Sequence, residues 1–310
     1  MALLILRRFG NMALIMAVVS VVLFLLLEIN VESVAIKVLG PYSSEEGRTA
    51  WLERNGYFDP LYVRYFRWLG GFVTGDLGQS VIFKAPVADV LLPRLGATAL
   101  LGLVTMAIVA PLSLGLGVLA GMREGSKTDR VISVLSIVTT SIPEFASAVF
   151  LAAIFVFWLG LLPGTSTMIG GFAPAQLVLP VMVLVLYDFG YVTRMTRASM
   201  AEVMTMPYIR TAVLKGLPRR RVILTHALRN ALIAPFTVIM LQINWLLSGV
   251  IVVEYFFAYK GFGSLLLEAS LNQDIFVIEA CTMVAVFVAV ATQTVADIGY
   301  TYLNPRIRFS

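Results

Sequence analysis

Apolar residues run almost unbroken near residues 9 to 29, 96 to 122, 131 to 162, 175 to 193, 231 to 257 and 277 to 302. Each run is near or above the roughly 17 to 25 residues that a helix needs to cross a bilayer, so the pattern predicts six transmembrane helices. Two longer polar stretches interrupt them, residues 30 to 94 and 194 to 230. The first apolar run is long and lacks a small-residue cleavage site, which predicts a retained span and not a signal peptide. Composition agrees with the pattern. Hydrophobic residues make up 59% of the 310 and charged residues 13%, against about 25% charged in ordinary soluble domains. The fold class is therefore all-α and polytopic, one transmembrane domain over residues 1–310.

The 23 Lys and Arg residues set the orientation. Fifteen fall on one side: Arg7 and Arg8; Arg123, Lys127 and Arg130; the eight from Arg194 to Arg229; Arg306 and Arg308. The opposite side has seven spread over residues 30 to 94, plus Lys260. Positive-inside bias predicts that both termini and the 194–230 loop are cytoplasmic and that 30–94 is external. The net charge of +5 is explained by that bias and requires no nucleic acid. The lone Cys281 excludes an internal disulfide, and with a single histidine, His226, the chain offers no cysteine or histidine metal cluster.

The external stretch is too short for a separate core. Asp59 is placed to cap a helix with Pro60 in its first turn; LYVRYFRWL then mixes aromatics with Arg64 and Arg67 up to a stop at Gly70-Gly71. That mixture suits a helix in the headgroup layer. A second short helix is expected from Pro86 to about Leu92, leading into the second span. In that span Ser113, Gly117 and Gly121 recur every four residues, a small-residue face for close helix packing.

The 194–230 loop holds more than charge. Pro207 suits a first helical turn, and Gly216 with Pro218 forms a stop, so a short helix is expected between them. Tyr208, Thr211, Ala212 and Lys215 share one face by spacing, and Ala212 and Gly216 keep that face low for another surface. A helix this short is marginal alone and needs docking to persist. The segment GMREGSKT at 121–128 resembles a phosphate-binding loop superficially, but Ser126 replaces the required glycine and no strand precedes it. It is expected to be a cytoplasmic turn, so the chain has no evident ATP site of its own.

Within the spans, Ser133, Ser136, Thr140, Glu144 and Ser147 fall along one stripe of the third. Pro143 should kink that helix, with Thr140 and Ser141 hydroxyls serving the freed carbonyls. An ionised acid at mid-membrane costs about 2.5 to 3.5 kcal/mol on insertion scales, so Glu144 should face protein or water. Thr237, Asn244 and Ser248 form a second stripe on the fifth span, with Gln242 beside it. Both stripes fit a hydrophilic path, and both fit interhelical hydrogen bonding. Asp188 and Asp297 are expected to pair with Arg194, Arg197 or Arg229.

The loop also matches a known family. Tyr208 to Leu217 reads YIRTAVLKGL and His226 to Leu232 reads HALRNAL, which resembles the cytoplasmic loop of permease subunits of bacterial ABC importers in the dipeptide, oligopeptide and nickel class. Similar patterns extend along the chain: Asp59-Pro60-Leu61, Gly75 to Ser80, Pro86-Val87, Ser141-Ile142-Pro143, Gly261-Phe262-Gly263 and Asn304-Pro305-Arg306. Lys260 stands where the family usually has proline, and Gly96 replaces another common proline.

The resemblance implies the type I importer permease fold with a cytoplasmic coupling helix, in a bacterial inner membrane. It implies that Tyr208, Arg210, Thr211, Ala212, Lys215, Gly216 and Leu217 engage an ATPase; the two polar stripes give Thr140, Glu144, Ser147, Thr237, Asn244 and Ser248 as the residues expected to border the path. The implied partners are a second homologous permease, two ATPase subunits carrying ATP and Mg, and an external substrate-binding protein; no cofactor or metal is expected on this chain, which is not an enzyme. Di- or oligopeptides are the favoured cargo. Nickel, opines or another small solute remain alternatives, as does a proton-coupled secondary transporter, while a membrane hydrolase would need a serine elbow that is not found.

Overall fold

The computed structural model describes residues 2–28 and 30–303. Helices α1 (Ala2–Glu28), α2 (Val31–Leu39), α3 (Glu45–Arg54) and α4 (Leu61–Thr74) open the chain, followed by the long α5 (Val87–Gly121). Next come α6 (Lys127–Ser141), α7 (Glu144–Ala152) with a wide π turn over Ala153–Trp158, α8 (Pro174–Met204) and the short α9 (Pro207–Leu214). The remainder is α10 (Arg219–Arg221), a second π turn (Val222–Ala227), α11 (Leu228–Ala231), α12 (Ile233–Gly249), α13 (Ile251–Phe256), α14 (Phe262–Leu271) and α15 (Ile275–Leu303). The chain is an all-α, polytopic membrane protein. Four helices are individually long and apolar enough to cross a bilayer, and two bent pairs meet the requirement when each is taken as one span.

The chain divides into two compact units. One comprises the described residues through Thr98 with Lys260–Ala291, and the other comprises Ala99–Tyr259 with the described residues from Thr292. In the first, Val87, Leu91, Phe262, Leu265, Ala269, Val277, Ala280 and Cys281 form the buried core. Asp274 ties it to the preceding loop, accepting from Ser80 Oγ at 2.6 Å and from Ile82 N at 3.1 Å. The second unit is organised around α8, many of whose side chains are buried.

The small-residue face of α5 packs against α8. Ser113 Oγ donates to the Phe189 carbonyl at 3.3 Å, and a methyl at Gly117 would lie 2.5 Å from Thr196 Cβ. At Gly121 it would lie 2.6 Å from the Arg197 carbonyl oxygen. Gly190 serves the same purpose between α8 and α6, where any Cβ would strike the Ser136 carbonyl. Glycine thus lets backbones meet where lipid gives no hydrophobic reason to do so.

Several local expectations are corrected. Helix α4 runs through Gly70-Gly71 and stops at Gly75, whose φ of +87° supplies the left-handed C-cap. Pro60 takes the N-cap position of α4, while the Asp59 carboxylate pairs with Arg67 at 2.5 Å. No separate helix ends at Leu92, because α5 continues through Pro93 and Pro111 to Gly121. The third apolar run is two helices bent by 98° and not a kinked one. Ile142, held extended by the proline that follows, ends α6, and Pro143 becomes the N-cap of α7. The Thr140 and Ser141 hydroxyls do not serve the carbonyls freed there; they donate one turn back, to Ser136 O at 2.8 Å and Ile137 O at 2.7 Å.

Candidate functional site

The loop helix α9 is built from its two ends. Pro207 occupies the first turn, where a missing N–H has no intrahelical partner to lose. At the other end Gly216, with φ +75°, closes a Schellman motif: Gly216 N donates to Val213 O at 2.9 Å and Leu217 N to Ala212 O at 3.3 Å. Its inner face is packed. Ile209 and Ala212 join Met200, Val203, Val222, Ala227 and Ala231 in one buried cluster, with Leu217 against its edge. That cluster gives an eight-residue helix the tertiary support it cannot supply itself.

Burial changes the face offered to a partner. Ala212 is only 6% exposed and lies on the inner side, because the two apolar positions three apart, 209 and 212, turn inward together. It therefore stands apart from Tyr208, Thr211 and Lys215, with which spacing alone grouped it. The outward set is Tyr208, Arg210, Thr211, Val213, Leu214, Lys215 and Gly216. Leu214 is 78% exposed, an apolar knob of the kind that marks a contact surface. Asn230 Nδ2 donates to the Tyr208 hydroxyl at 2.9 Å, linking α9 to the basic segment that follows.

The second element is a cavity of about 490 Å³ lined by Thr140, Tyr187, Tyr191, Arg194, Leu241, Gln242 and Trp245. Tyr187 and Trp245 stack with ring centres 4.6 Å apart. Gln242 donates its amide to Asp188 Oδ1, while Asp188 Oδ2 and Glu144 Oε2 are buried without a hydrogen-bond partner. Glu144 sits in the first turn of α7, where the helix N-terminus favours negative charge. The expected pairing of Asp188 with arginine does not occur. Arg197 is engaged elsewhere, donating to Asp129 at 2.7 and 2.8 Å, and Arg194 Nε donates to the Gly190 carbonyl at 3.3 Å. The turn at 121–128 completes that clasp: Gly125 N donates to Asp129 at 2.9 Å, and the Ser126 hydroxyl caps α6.

Of the path residues named from sequence, Thr140 reaches the cavity wall, and Ser147 is buried. Thr237 is half-buried, with its hydroxyl turned back to Ile233 O at 3.2 Å. The side chains of Asn244, Ser248 and Asp297 lie outside the described ones, as do Asn304, Pro305, Arg306 and Arg308 entirely. Sequence reasoning passed over Tyr187 and Tyr191 and gave Arg194 only as a partner for Asp188, although their spacing of four and three places the three on one stripe of α8. It set Gln242 beside the stripe when Gln242 is the residue that reaches across to α8.

Residues 113–309 match the family described as binding-protein-dependent transport system inner membrane component. Among curated proteins, the oligopeptide transport system permease protein AppB of Bacillus subtilis is 36% identical over 279 residues, 88% of either chain. A putative peptide transport system permease protein of Brucella abortus is 33% identical across the whole of both chains. The dipeptide transport system permease protein DppB of Escherichia coli is 32% identical over 86% of each.

Proposed function

Since the chain belongs to the family of binding-protein-dependent transport system inner membrane components, we propose that it forms half of the translocation path of an ATP-driven peptide importer. The supporting observation is the seating of α9: its inner face is fixed in the cluster of Met200, Val203, Val222, Ala227 and Ala231, and its outer face is free. Force applied to that outer face passes into the end of α8 and into the second π turn and α11, which leads on into α12. The same helices carry Tyr187, Tyr191 and Arg194 on one side of the cavity and Leu241, Gln242 and Trp245 on the other.

In this reading two ATPase subunits close on ATP, draw together the α9 helices of this chain and a second, homologous permease, and shift α8 against α12. Gln242, on the wall of the polar passage, holds the buried Asp188 by its amide, and hydrolysis resets the passage. Both termini and α9 are cytoplasmic, and residues 30–94 lie outside, where a binding protein delivers cargo. The six crossings are α1, α5, the α6–α7 pair, α8, the segment from α10 through α13, and α15. Peptide cargo is supported by the names of the relatives.

The test is reconstitution of this chain with its partner permease and ATPase subunits in liposomes. Uptake of a labelled di- or oligopeptide should require ATP inside and the binding protein outside. Uptake on a pH gradient without the ATPases would overturn the reading.

A further inference from the structure

A second buried polar cluster lies in the first unit and shares no residue with α9 or with the cavity on α8. The end of α1, the loop before α4, α4 itself and the start of α15 enclose a cavity of about 220 Å³. Its two cations are already engaged. Arg64 forms a buried ion pair with Glu28, donates to the Glu28 carbonyl at 2.9 Å and lies 4.6 Å from the Tyr57 ring centre. Arg67 pairs with Asp59. The Tyr57 hydroxyl donates to Glu28 Oε1 at 3.0 Å; burial, and then the neighbouring Glu28, push this phenol far above its ordinary range, so it stays a donor. Glu28 is thereby satisfied at both oxygens.

Glu279 is not. It is 2% exposed, and Trp68 Nε1 donates to its Oε2 at 2.8 Å, but its Oε1 is buried with no hydrogen-bond partner. Asp76, exposed on the same cavity, accepts one backbone N–H from Gly78 and makes no ion pair among the described residues. The lining therefore holds two carboxylates in excess of its paired charges. An unsatisfied buried acceptor costs about 1 to 3 kcal/mol or more, and attraction for a cation is strong where water is scarce. Tyr57, Trp68 and Phe276 add aromatic walls on which a cation can rest. No group of three or more metal-ligating side chains occurs among the described residues. An N–H-bearing cation fits better, because it donates to Glu279 while its alkyl part meets the rings.

We propose that this cavity binds a primary ammonium group, with Glu279 as its buried acceptor and Asp76 as its outer anion. The group can belong to a soluble amine or to an aminophospholipid headgroup, and the chemistry of capture is the same. The inference does not rest on the importer reading.

The test uses the full chain in phosphatidylcholine nanodiscs, with Trp51, Trp158 and Trp245 replaced by Phe so that Trp68 alone reports. Methylammonium chloride should give a saturable change in Trp68 fluorescence that potassium chloride and tetramethylammonium chloride do not give at equal ionic strength. Glu279→Gln should weaken it about tenfold or more, the loss expected for a charge-assisted hydrogen bond. The same Glu279-dependent change on adding phosphatidylethanolamine to the disc would identify a lipid source, and its restriction to methylammonium a soluble one. An equal response to potassium, a response unaltered in E279Q, or no saturable response from a protein that elutes as a folded species would each overturn the proposal.

Discussion

Helix α8 carries one buried acid, Asp188, and nine residues on, at Arg197, binds another, Asp129 of α6; the two are treated in opposite ways. At Arg197 the partner carboxylate, Asp129, accepts two hydrogen bonds from the guanidinium, one from Gly125 N and one from Ser133 Oγ. At Asp188 the carboxylate accepts a single amide donation from Gln242, and its other oxygen has no partner. The first is saturated and joins α6 to α8 at the end of the bundle that also holds the 121–128 turn. The second is held by Gln242, which lines the cavity, and Glu144 likewise keeps a carboxylate oxygen without a partner. A buried acid with every lone pair occupied holds elements together, whereas one left short of donors is kept ready for water or cargo, at a cost in stability.

The contrast can be broken hardest on the side of the saturated contact. Gly190→Val forces side-chain atoms into the Ser136 carbonyl, and the expected outcome is loss of about 3 kcal/mol or more, seen as failure to recover a monodisperse species by size exclusion. Arg197→Ala leaves the buried Asp129 without its guanidinium. Because Arg197 keeps 30% of its side-chain exposure, a loss of about 2 kcal/mol is expected, below the full cost for a wholly buried pair. Thermal unfolding in detergent measures it; a melting point equal to wild type would erase the distinction between the two acids.

Asp188→Asn should do the reverse. The Gln242 amide keeps an oxygen to donate to, so stability should change by less than about 1 kcal/mol, while ATP-driven uptake falls several-fold. An unfolded D188N protein would mean that this acid, too, is structural. The smallest effect on stability, within about 0.5 kcal/mol, is expected for Leu214→Glu, which alters only an exposed side chain. Its effect should appear as lost co-purification of the ATPase subunit. Ala212→Trp, by contrast, should disrupt the cluster under α9 and lower stability, because Ala212 is inside it.

Much of the fold was legible because the bilayer imposes a single simple rule on long apolar runs. The stops at Pro207 and Gly216 were legible as well, since they depend on backbone chemistry local to those residues. The face of α9 was misjudged at Ala212, because alanine is as acceptable in a core as at an approach surface and spacing does not say which side is packed. The break after Ser141 was underestimated for a related reason: Pro143 marks a disturbance, but its angle depends on what α7 packs against. The reach of Gln242 to Asp188, and the stripe that Tyr187 and Tyr191 form with Arg194, were missed because polar and aromatic residues inside a span gain meaning only from the helix opposite.

The sequence by itself determined an all-α chain of membrane-spanning helices, its charge bias, the short loop helix with its two terminal signals, and the family. These follow from interactions within one segment, or between a segment and its solvent. Tertiary structure alone decided that Asp129, and not Asp188, takes Arg197, that Glu279 and Asp188 each keep an oxygen without a donor, and which side of α9 stays free. Those outcomes turn on pairing between residues from about 20 to more than 200 positions apart, where geometry chooses one partner among several of equal chemistry.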